Sequence, residues 1–221
     1  MTRKIFIFEI LSIAAVLATT VVVYRRLPGR IPVHWDIHGR ADGFGPPSEM
    51  FLIGPGLMAG MMLLTWLLPW LSPKRFDVEA FQSTYRQLMA IVFCLCVYAY
   101  GVTLWAALSH PIDPGRAICG GLSIFIALMG NLMGKVRRNF FIGVRTPWTL
   151  ASERVWNATH RFAGRAMVAA GLLGLVFTIV GPYMGAVWLL LAASAASIVY
   201  SLVYYKQLER RGELGDRLTR G

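Results

Sequence analysis

The sequence is poor in charged residues and in cysteine, and both shortages narrow the class of protein. Charged side chains make up only 15% of the 221 residues, whereas a soluble domain has about 25%. Little of the chain is therefore left for a sizeable soluble domain. The three cysteines, Cys94, Cys96 and Cys119, lie in apolar runs and show no CxxC or other paired spacing. They are predicted to be small packing residues.

What the chain has instead is a series of apolar runs, each 18 to 21 residues long. That length matches the ~20 residues that a helix needs to cross ~30 Å of hydrocarbon. The first run is followed by Tyr24-Arg25-Arg26 rather than by a small-residue cleavage site, so it is interpreted as a retained helix. The sequence thus predicts an all-α membrane protein with six transmembrane helices, at Ile5–Tyr24, Phe51–Leu71, Leu88–Leu108, Ala117–Gly134, Ala166–Met184 and Ala186–Tyr205.

Lysine and arginine are distributed unevenly between the connections of these runs. With the N-terminus on the inner side, 17 of the 22 Lys and Arg residues lie on that side and five on the other. The positive-inside rule then predicts that both termini are cytoplasmic, in the cytoplasmic (inner) membrane. This asymmetry and the attraction of anionic lipids account for the net charge of +11. Direct nucleic-acid binding is not predicted, because no basic run is interleaved with aromatic residues on a soluble module.

Glu9 is the single charged side chain inside a predicted span. A carboxylate in a membrane span is costly and often functional. Glu9 nevertheless lies close to the inner end of its span, near Arg3 and Lys4. Pairing with these cations, or extension to the interface, is the simpler expectation.

Two polar connections mark an N-terminal membrane region, 1–110, and a C-terminal region, 111–221. The first region has an outer loop at 27–50, and the second has a long cytoplasmic loop at 135–165. Within the cytoplasmic loop, residues 139–164 combine Arg, Glu, His and Trp with a Thr-Pro-Trp-Thr turn. This stretch, called the signature segment below, is the first place to look for a functional site.

The signature segment is predicted to contain a helix that lies at the membrane interface. Thr146 as N-cap and Pro147 at the first helical position mark its start, and Thr149 is an alternative cap. The helix runs onward toward the fifth span and can continue into it. Trp148 and Trp156 are expected at the depth of the lipid head groups.

Two interpretations of the polar side chains in this segment stay open. In the first, Arg145, Glu153 and His160 converge with Trp148 on a ligand or a reactive bond. In the second, Glu153 pairs with Arg145 or Arg154, and the aromatic side chains only anchor the loop. One Glu and one His seven residues apart, without a nucleophile nearby, are not a catalytic signature.

The outer loop contains a run with the composition of a metal site, His34-Trp35-Asp36-Ile37-His38. In an extended strand His34, Asp36 and His38 point to one side, and two imidazoles with a carboxylate are a reasonable Zn²⁺ set. Further ligands are available on the same predicted side, at Asp42, His110 and Asp113. Alternatively, His34, Trp35 and Asp36 hydrogen-bond to each other in a folded Gly/Pro loop.

Two parts of the sequence resemble the SdpI family of integral membrane proteins. In the signature segment the matching positions are Asn139, Phe141, Gly143, Arg145, Thr146, Pro147, Thr149, Trp156, His160 and Gly164. The outer loop is similar to a short uncharacterised module of such proteins, through Ile31, Pro32, His34, Trp35, Gly39, Asp42, Gly43 and Gly45. The sequence departs from the shared pattern at His38 and around Ala151–Arg154, so Glu153 carries less weight than Arg145.

The resemblance implies immunity to a secreted, membrane-active killing peptide, and retention of a transcriptional repressor at the membrane. The predicted function is therefore non-enzymatic immunity and signalling, with membrane lipids, an extracellular toxic peptide and a cytoplasmic repressor as partners. A metal-dependent membrane hydrolase is the alternative, and a small transporter is the third. The residues expected to bind a ligand or partner are Arg145, Thr146, Pro147, Trp148, Thr149, Glu153, Trp156, His160, His34, Trp35 and Asp42. No cofactor is expected; zinc, if it binds, would use His34, Asp36 and His38.

Overall fold

The computed structural model describes residues 3–72 and 78–214 and confirms the predicted class. Six helices are long and apolar enough to cross a membrane. The helices that form these spans are α1 (Arg3–Val23), α3 (Leu57–Leu71), α4 (Gln82–Ala107), α5 (Pro114–Met133), α7 (Glu153–Val180) and α8 (Met184–Arg210). The chain is an all-α membrane protein with a single small sheet in its described part.

The connections contain the remaining elements. A two-stranded antiparallel hairpin, β1 (Ile31–Trp35) and β2 (Ala41–Gly45), follows a short 3₁₀ turn at Tyr24–Arg26. A short helix, α2 (Glu49–Phe51), then leads through the π-helical turn Leu52–Gly56 into α3. This wide turn contains Pro55, which has no backbone N–H to donate to a regular helix. Two more short helices are the 3₁₀ helix Val78–Phe81, which precedes α4, and α6 (Pro147–Ala151), which immediately precedes α7.

Helix α7 begins thirteen residues before the apolar run that predicted the fifth span. It has 28 residues, which is about 42 Å of helix at 1.5 Å per residue and more than ~30 Å of hydrocarbon requires. Hydropathy marks only its apolar part. The polar part is helical because Ser152 caps it, accepting from the backbone N–H of Val155, and because buried partners hold it.

The six spans form two groups joined by the contact of α4 with α5. Helices α1, α3 and α4 pack together, and α7 packs between α5 and α8. Glycine allows α5 and α7 to approach closely: a Cβ on Gly130 would lie 2.8 Å from the Gly164 oxygen, and one on Gly171 would lie 2.6 Å from the Ser123 oxygen. Small side chains thus serve packing within the chain, as small residues do in membrane helices.

The two ends of the bundle carry different structures. At one end, called the hairpin end, the β-hairpin meets the turn between α7 and α8, where Tyr183 Oη donates to the Ile37 carbonyl at 3.2 Å. At the opposite end, called the signature end, the signature segment packs on the entry to α4 around Trp156, Tyr85 and Val136. The two sequence motifs therefore lie at opposite ends of the bundle of membrane-spanning helices.

Glu9 is buried, with 1% of its surface exposed. Among the described residues neither of its carboxylate oxygens has a hydrogen-bond partner. The side chain therefore does not extend to the interface. Four of the cations behind the predicted N-in, C-in orientation, Lys74, Arg75, Arg217 and Arg220, lie outside the described residues.

Candidate functional site

The signature segment folds around the side chain of Asn139, which is completely buried. Its Oδ1 accepts from the backbone N–H groups of Phe141 and Ile142, at 2.8 and 2.7 Å. Its Nδ2 donates to the carbonyls of Arg137 and Ile142, at 2.9 and 3.0 Å. One amide thus satisfies four backbone groups of an irregular turn, which a buried turn requires. Asn139 is a scaffold residue.

His160 holds the next part of the turn. The Val144 N–H donates to His160 Nε2 at 3.0 Å, and His160 Nδ1 lies 2.8 Å from the Trp156 carbonyl. A carbonyl only accepts, so Nδ1 carries the proton and Nε2 is the acceptor. Both ring nitrogens are engaged and the side chain is 1% exposed. His160 is therefore a neutral structural bridge in this arrangement.

Gly143 is the residue that makes this bridge possible. Its φ is +116°, a region that side chains rarely adopt, and a Cβ here would collide with His160 Nε2. Only glycine meets both requirements without strain. The conformation brings the following amide, that of Val144, onto the imidazole.

Trp156 lies in the protein interior and not on the surface, which corrects its interpretation as an exposed aromatic anchor of the loop. It is fully buried, and its ring stacks on His160 with a centroid distance of 4.0 Å. Its Nε1 donates to the Val136 carbonyl at 2.8 Å. The hydrophobic cluster at the signature end, which includes Tyr85 and Leu88 of α4, surrounds it. The sequence of the segment gave no signal that α4 is its packing partner.

Thr146 and Thr149 form a reciprocal capping box at the start of α6. Thr146 Oγ1 accepts from the Thr149 N–H, and Thr149 Oγ1 accepts from the Thr146 N–H, at 3.3 and 2.8 Å. Pro147 occupies the first turn, as its fixed φ favours. The predicted single helix is interrupted, however: Ser152 is extended, at φ −129° and ψ 123°, and starts α7 anew.

Trp148 connects α6 to the last span. Its Nε1 donates to Ser201 Oγ at 2.7 Å, and Ser201 is buried on α8. The sequence offered no specific signal for Ser201, because α8 contains several similar small hydroxyl side chains. Through this contact α6 is attached to α8 as well as to α7, which follows it in the chain.

Arg145 differs from its neighbours because its side chain is exposed. Its Nη1 donates to the Phe140 carbonyl, and the guanidinium lies 5.9 Å from the centroid of the Phe140 ring. Beside it is a cavity of about 290 Å³, lined by Gly143, Val144, Arg145, Thr146, Ala163, Met167, Ser194, Ser197 and Ile198. The structure therefore presents one cation at the edge of a cavity between the signature segment, α7 and α8.

The other predicted members of the site lie elsewhere or have other partners. Glu153 Oε1 lies 4.0 Å from Arg137, an arginine that spacing along the helix did not indicate. Arg154 pairs with Glu213 at 2.9 Å. The structure brings Arg145 next to the residue that His160 binds, but His160 itself is buried beneath the backbone.

The hairpin places His34 and Asp42 together. His34 Nδ1 lies 2.5 Å from Asp42 Oδ1, and the two side chains are 71% and 48% exposed. His34 stands opposite Gly43 in the sheet, where a Cβ would lie 2.7 Å from that of His34. The small residue lets the two strands meet at this irregular register. Trp35, the last residue of β1, is half-buried.

Asp36 belongs to the turn and not to the strand. Its Oδ1 accepts from the backbone N–H groups of His38 and Arg40, at 2.8 and 2.9 Å, and these bonds lower the pKa of its carboxyl. Strand β1 ends at Trp35, so its alternation of sides does not reach His38. Over residues 3–72 and 78–214 no group of three His, Cys, Asp or Glu side chains is placed to hold a metal. The zinc site stays a prediction.

Fold and site together define a multi-pass membrane protein with a folded polar segment covering one end of its helices. Residues 135–205 match the SdpI/YfhL protein family, and residues 11–59 match a domain of unknown function, DUF1648. The immunity protein SdpI of Bacillus subtilis (strain 168) is 29% identical over 205 residues, covering 91% of this chain and 96% of that protein. No solved structure matches the chain. These comparisons support the resemblance to the SdpI/YfhL family that the two motifs indicated.

Proposed function

We propose that this protein is a membrane immunity protein that protects its own cell from a secreted killing peptide. The relationship to an immunity protein covers nearly the full length of both chains, so it extends well beyond either motif. A match confined to one domain would support a shared module. A match of this extent is the basis for proposing a shared task, and the residues of the site must then support it.

The observation that carries the proposal at the level of residues is the exposure of Arg145. Asn139, Gly143, Thr149, Trp156 and His160 are occupied by the folding of the segment itself. Arg145 is the cation that this scaffold presents at the edge of the 290 Å³ cavity. Its guanidinium has five N–H donors, so donors beyond the one given to Phe140 can bind a partner. We assign Arg145 the role of partner contact.

The same surface is suited to a signalling partner on the cytoplasmic side. We propose that a small repressor docks on the signature end and that the hairpin end meets the killing peptide. The cavity lies between α7 and α8, and α7 runs to the hairpin end, where Tyr183 touches the hairpin. A shift of this helix pair is a physical route by which one end can respond to the other. Coupling between the ends is a hypothesis to be measured.

The test is survival of the host in mixed culture. Cells with the gene deleted are grown beside wild-type cells, in rich medium and in starvation, and carry a plasmid with the wild-type gene, Arg145→Ala or no insert. Membrane levels of each protein are measured by blotting. We expect the empty plasmid to give loss of viability and the wild-type gene to restore it. Equal survival with and without the gene under both conditions would overturn the immunity function.

Arg145→Ala is expected to abolish protection while leaving the membrane level unchanged, because the side chain contributes no buried contact. Lys206→Ala is the matched control. It also removes an exposed cation that makes one hydrogen bond and lies over an aromatic ring, but on α8 and outside the lining of the cavity. Full protection by well-expressed Arg145→Ala would reject the role assigned to this residue. Loss of protection with both variants would show that the effect is not specific to Arg145.

A further inference from the structure

A second concave surface lies on the outer side of α5 and α7, away from the cavity beside Arg145. It is an open groove of about 510 Å³ near the signature end. The glycines of the two helices form its narrow part, since Gly130 and Gly164 are in backbone contact and Gly134 carries no side chain to fill it. The lining residues are Gly130, Asn131, Gly134, Arg161, Gly164, Arg165, Val168, Ala169 and Leu172.

Two arginines stand at one end of this groove. Arg161 and Arg165 are one helical turn apart on α7, so their side chains lie on one face. Both are exposed. In the described part of the chain neither guanidinium has an ion pair or hydrogen bond, although Arg137, Arg138 and Arg154 on the same end do. The lining contains no acidic residue. The groove therefore combines two uncompensated positive charges with an amide, Asn131.

The other end of the groove is apolar. Val168, Ala169 and Leu172 continue along the same face of α7 toward the membrane interior. The segment from Arg165 to the end of α7 at Val180 is about 24 Å long, close to but less than the ~30 Å thickness of hydrocarbon. Arg161 lies about 6 Å further out along the helix. Counted from Val180, Arg161 thus stands at head-group level, and Arg165 stands one turn below it, from where its long side chain can extend to the head groups. The apolar lining lies at the level of the acyl chains.

We infer that this groove binds an anionic phospholipid from the leaflet at the signature end. The phosphate would accept from Arg161 and Arg165, which suit phosphate oxygens because their N–H donors form a planar fork. One acyl chain would lie along Val168 and Leu172. A soluble anion would use only the arginines, so the apolar continuation of the groove selects a lipid. This site is independent of the proposed immunity function.

The binding test uses the full chain in detergent, with lipid adducts counted by native mass spectrometry. Phosphatidylglycerol, phosphatidylcholine and inorganic phosphate are added separately at equal concentration. The variants are Arg161→Gln/Arg165→Gln and Arg210→Gln/Arg211→Gln; the second pair removes the same charge at the same end but outside the groove. At about fivefold per arginine near an anionic surface, we expect the first pair to weaken phosphatidylglycerol binding by at least about tenfold and the second to leave it nearly unchanged.

A third variant, Ala169→Trp, separates the lipid tail from the charge. It fills the apolar part of the groove and keeps both arginines, so it should also weaken phosphatidylglycerol binding. Equal loss with the two arginine pairs would mean attraction by general surface charge and would overturn the site. So would equal binding of phosphatidylcholine, or an undiminished affinity in Ala169→Trp. Binding of inorganic phosphate that prevents lipid binding would replace the lipid by a soluble anion and reject the inference.

Discussion

The two ends of the molecule use the same kinds of residue in opposite ways. At the hairpin end His34 has one partner, Asp42, and 71% of its side chain is exposed. At the signature end His160 uses both ring nitrogens for backbone groups and is 1% exposed. The imidazole group itself is the same in both residues and can bind a ligand in either. Burial and saturation of its hydrogen bonds make one histidine a structural element and leave the other accessible.

The largest effect is expected from Gly143→Ala, which should destabilise the fold of the signature end. The added methyl group would collide with His160, and the alanine backbone would have to keep φ at +116°. A strained backbone position together with a displaced buried bridge should cost about 3 kcal/mol of unfolding free energy. Thermal unfolding of the detergent-solubilised protein measures it, and Gly60→Ala, where a Cβ meets nothing within 4 Å, is the control. Matching melting temperatures in the two variants would contradict this account of Gly143.

The difference between the two histidines can be tested by measuring the unfolding free energies of His160→Ala and His34→Ala. The first leaves the Val144 N–H and the Trp156 carbonyl without their partner, which should destabilise the protein by about 2 kcal/mol. The second breaks an exposed pair, so a change of about 0–1 kcal/mol is expected. Unfolding of both variants in one detergent gives the two values. A larger loss for His34→Ala than for His160→Ala would reverse the assignment of roles.

A smaller effect is expected from acid at the hairpin end. The pKa of Asp36 is lowered in the folded protein by the His38 and Arg40 amides, so its contribution is present above the unfolded pKa of about 3.9. It is lost as pH falls through the folded pKa. Protection of those two amides from hydrogen exchange, relative to intrinsic rates, should decline below about pH 4 in the wild type. Asp36→Asn should remove most of that decline; an identical decline in the variant would assign it to another group.

The smallest change is expected in metal content. The Asp36 carboxylate is engaged by the turn and His34 by Asp42, so purified wild-type protein and His34→Ala should both contain zinc well below one atom per chain. Plasma mass spectrometry of the detergent-solubilised proteins measures this. Stoichiometric zinc that disappears in His34→Ala would instead establish a metal site at the hairpin end and favour the hydrolase interpretation.

Most of the fold follows from local sequence, because crossing a membrane requires a long apolar helix whatever its neighbours are. All six spans were predicted. Hydropathy marked only the apolar part of α7, but the prediction that the helix of the signature segment can continue into the fifth span is confirmed from Glu153 onward. Thr146 and Pro147 were correctly predicted as a helix start, because capping involves residues only three apart.

The site was less predictable, because its members are defined by partners distant in the chain. Trp156 has the composition of an interfacial anchor, yet it is buried because Tyr85 and Val136 close over it. Trp148 finds Ser201, 53 residues away. One interpretation of the sequence had Glu153 and His160 converge on a ligand, but the chain between Lys135 and Thr146 folds over His160 and leaves the Glu153 side chain 51% exposed.

The sequence by itself determined the six membrane spans, the charge asymmetry between their connections and the positions of the two motifs. Hydropathy and helix capping suffice for these, since they depend on neighbours a few residues apart. The tertiary structure alone decided which motif residues are scaffold and which are presented, and it created the groove between α5 and α7. The physical reason is that burial, hydrogen-bond saturation and concave shape arise only when separate segments meet.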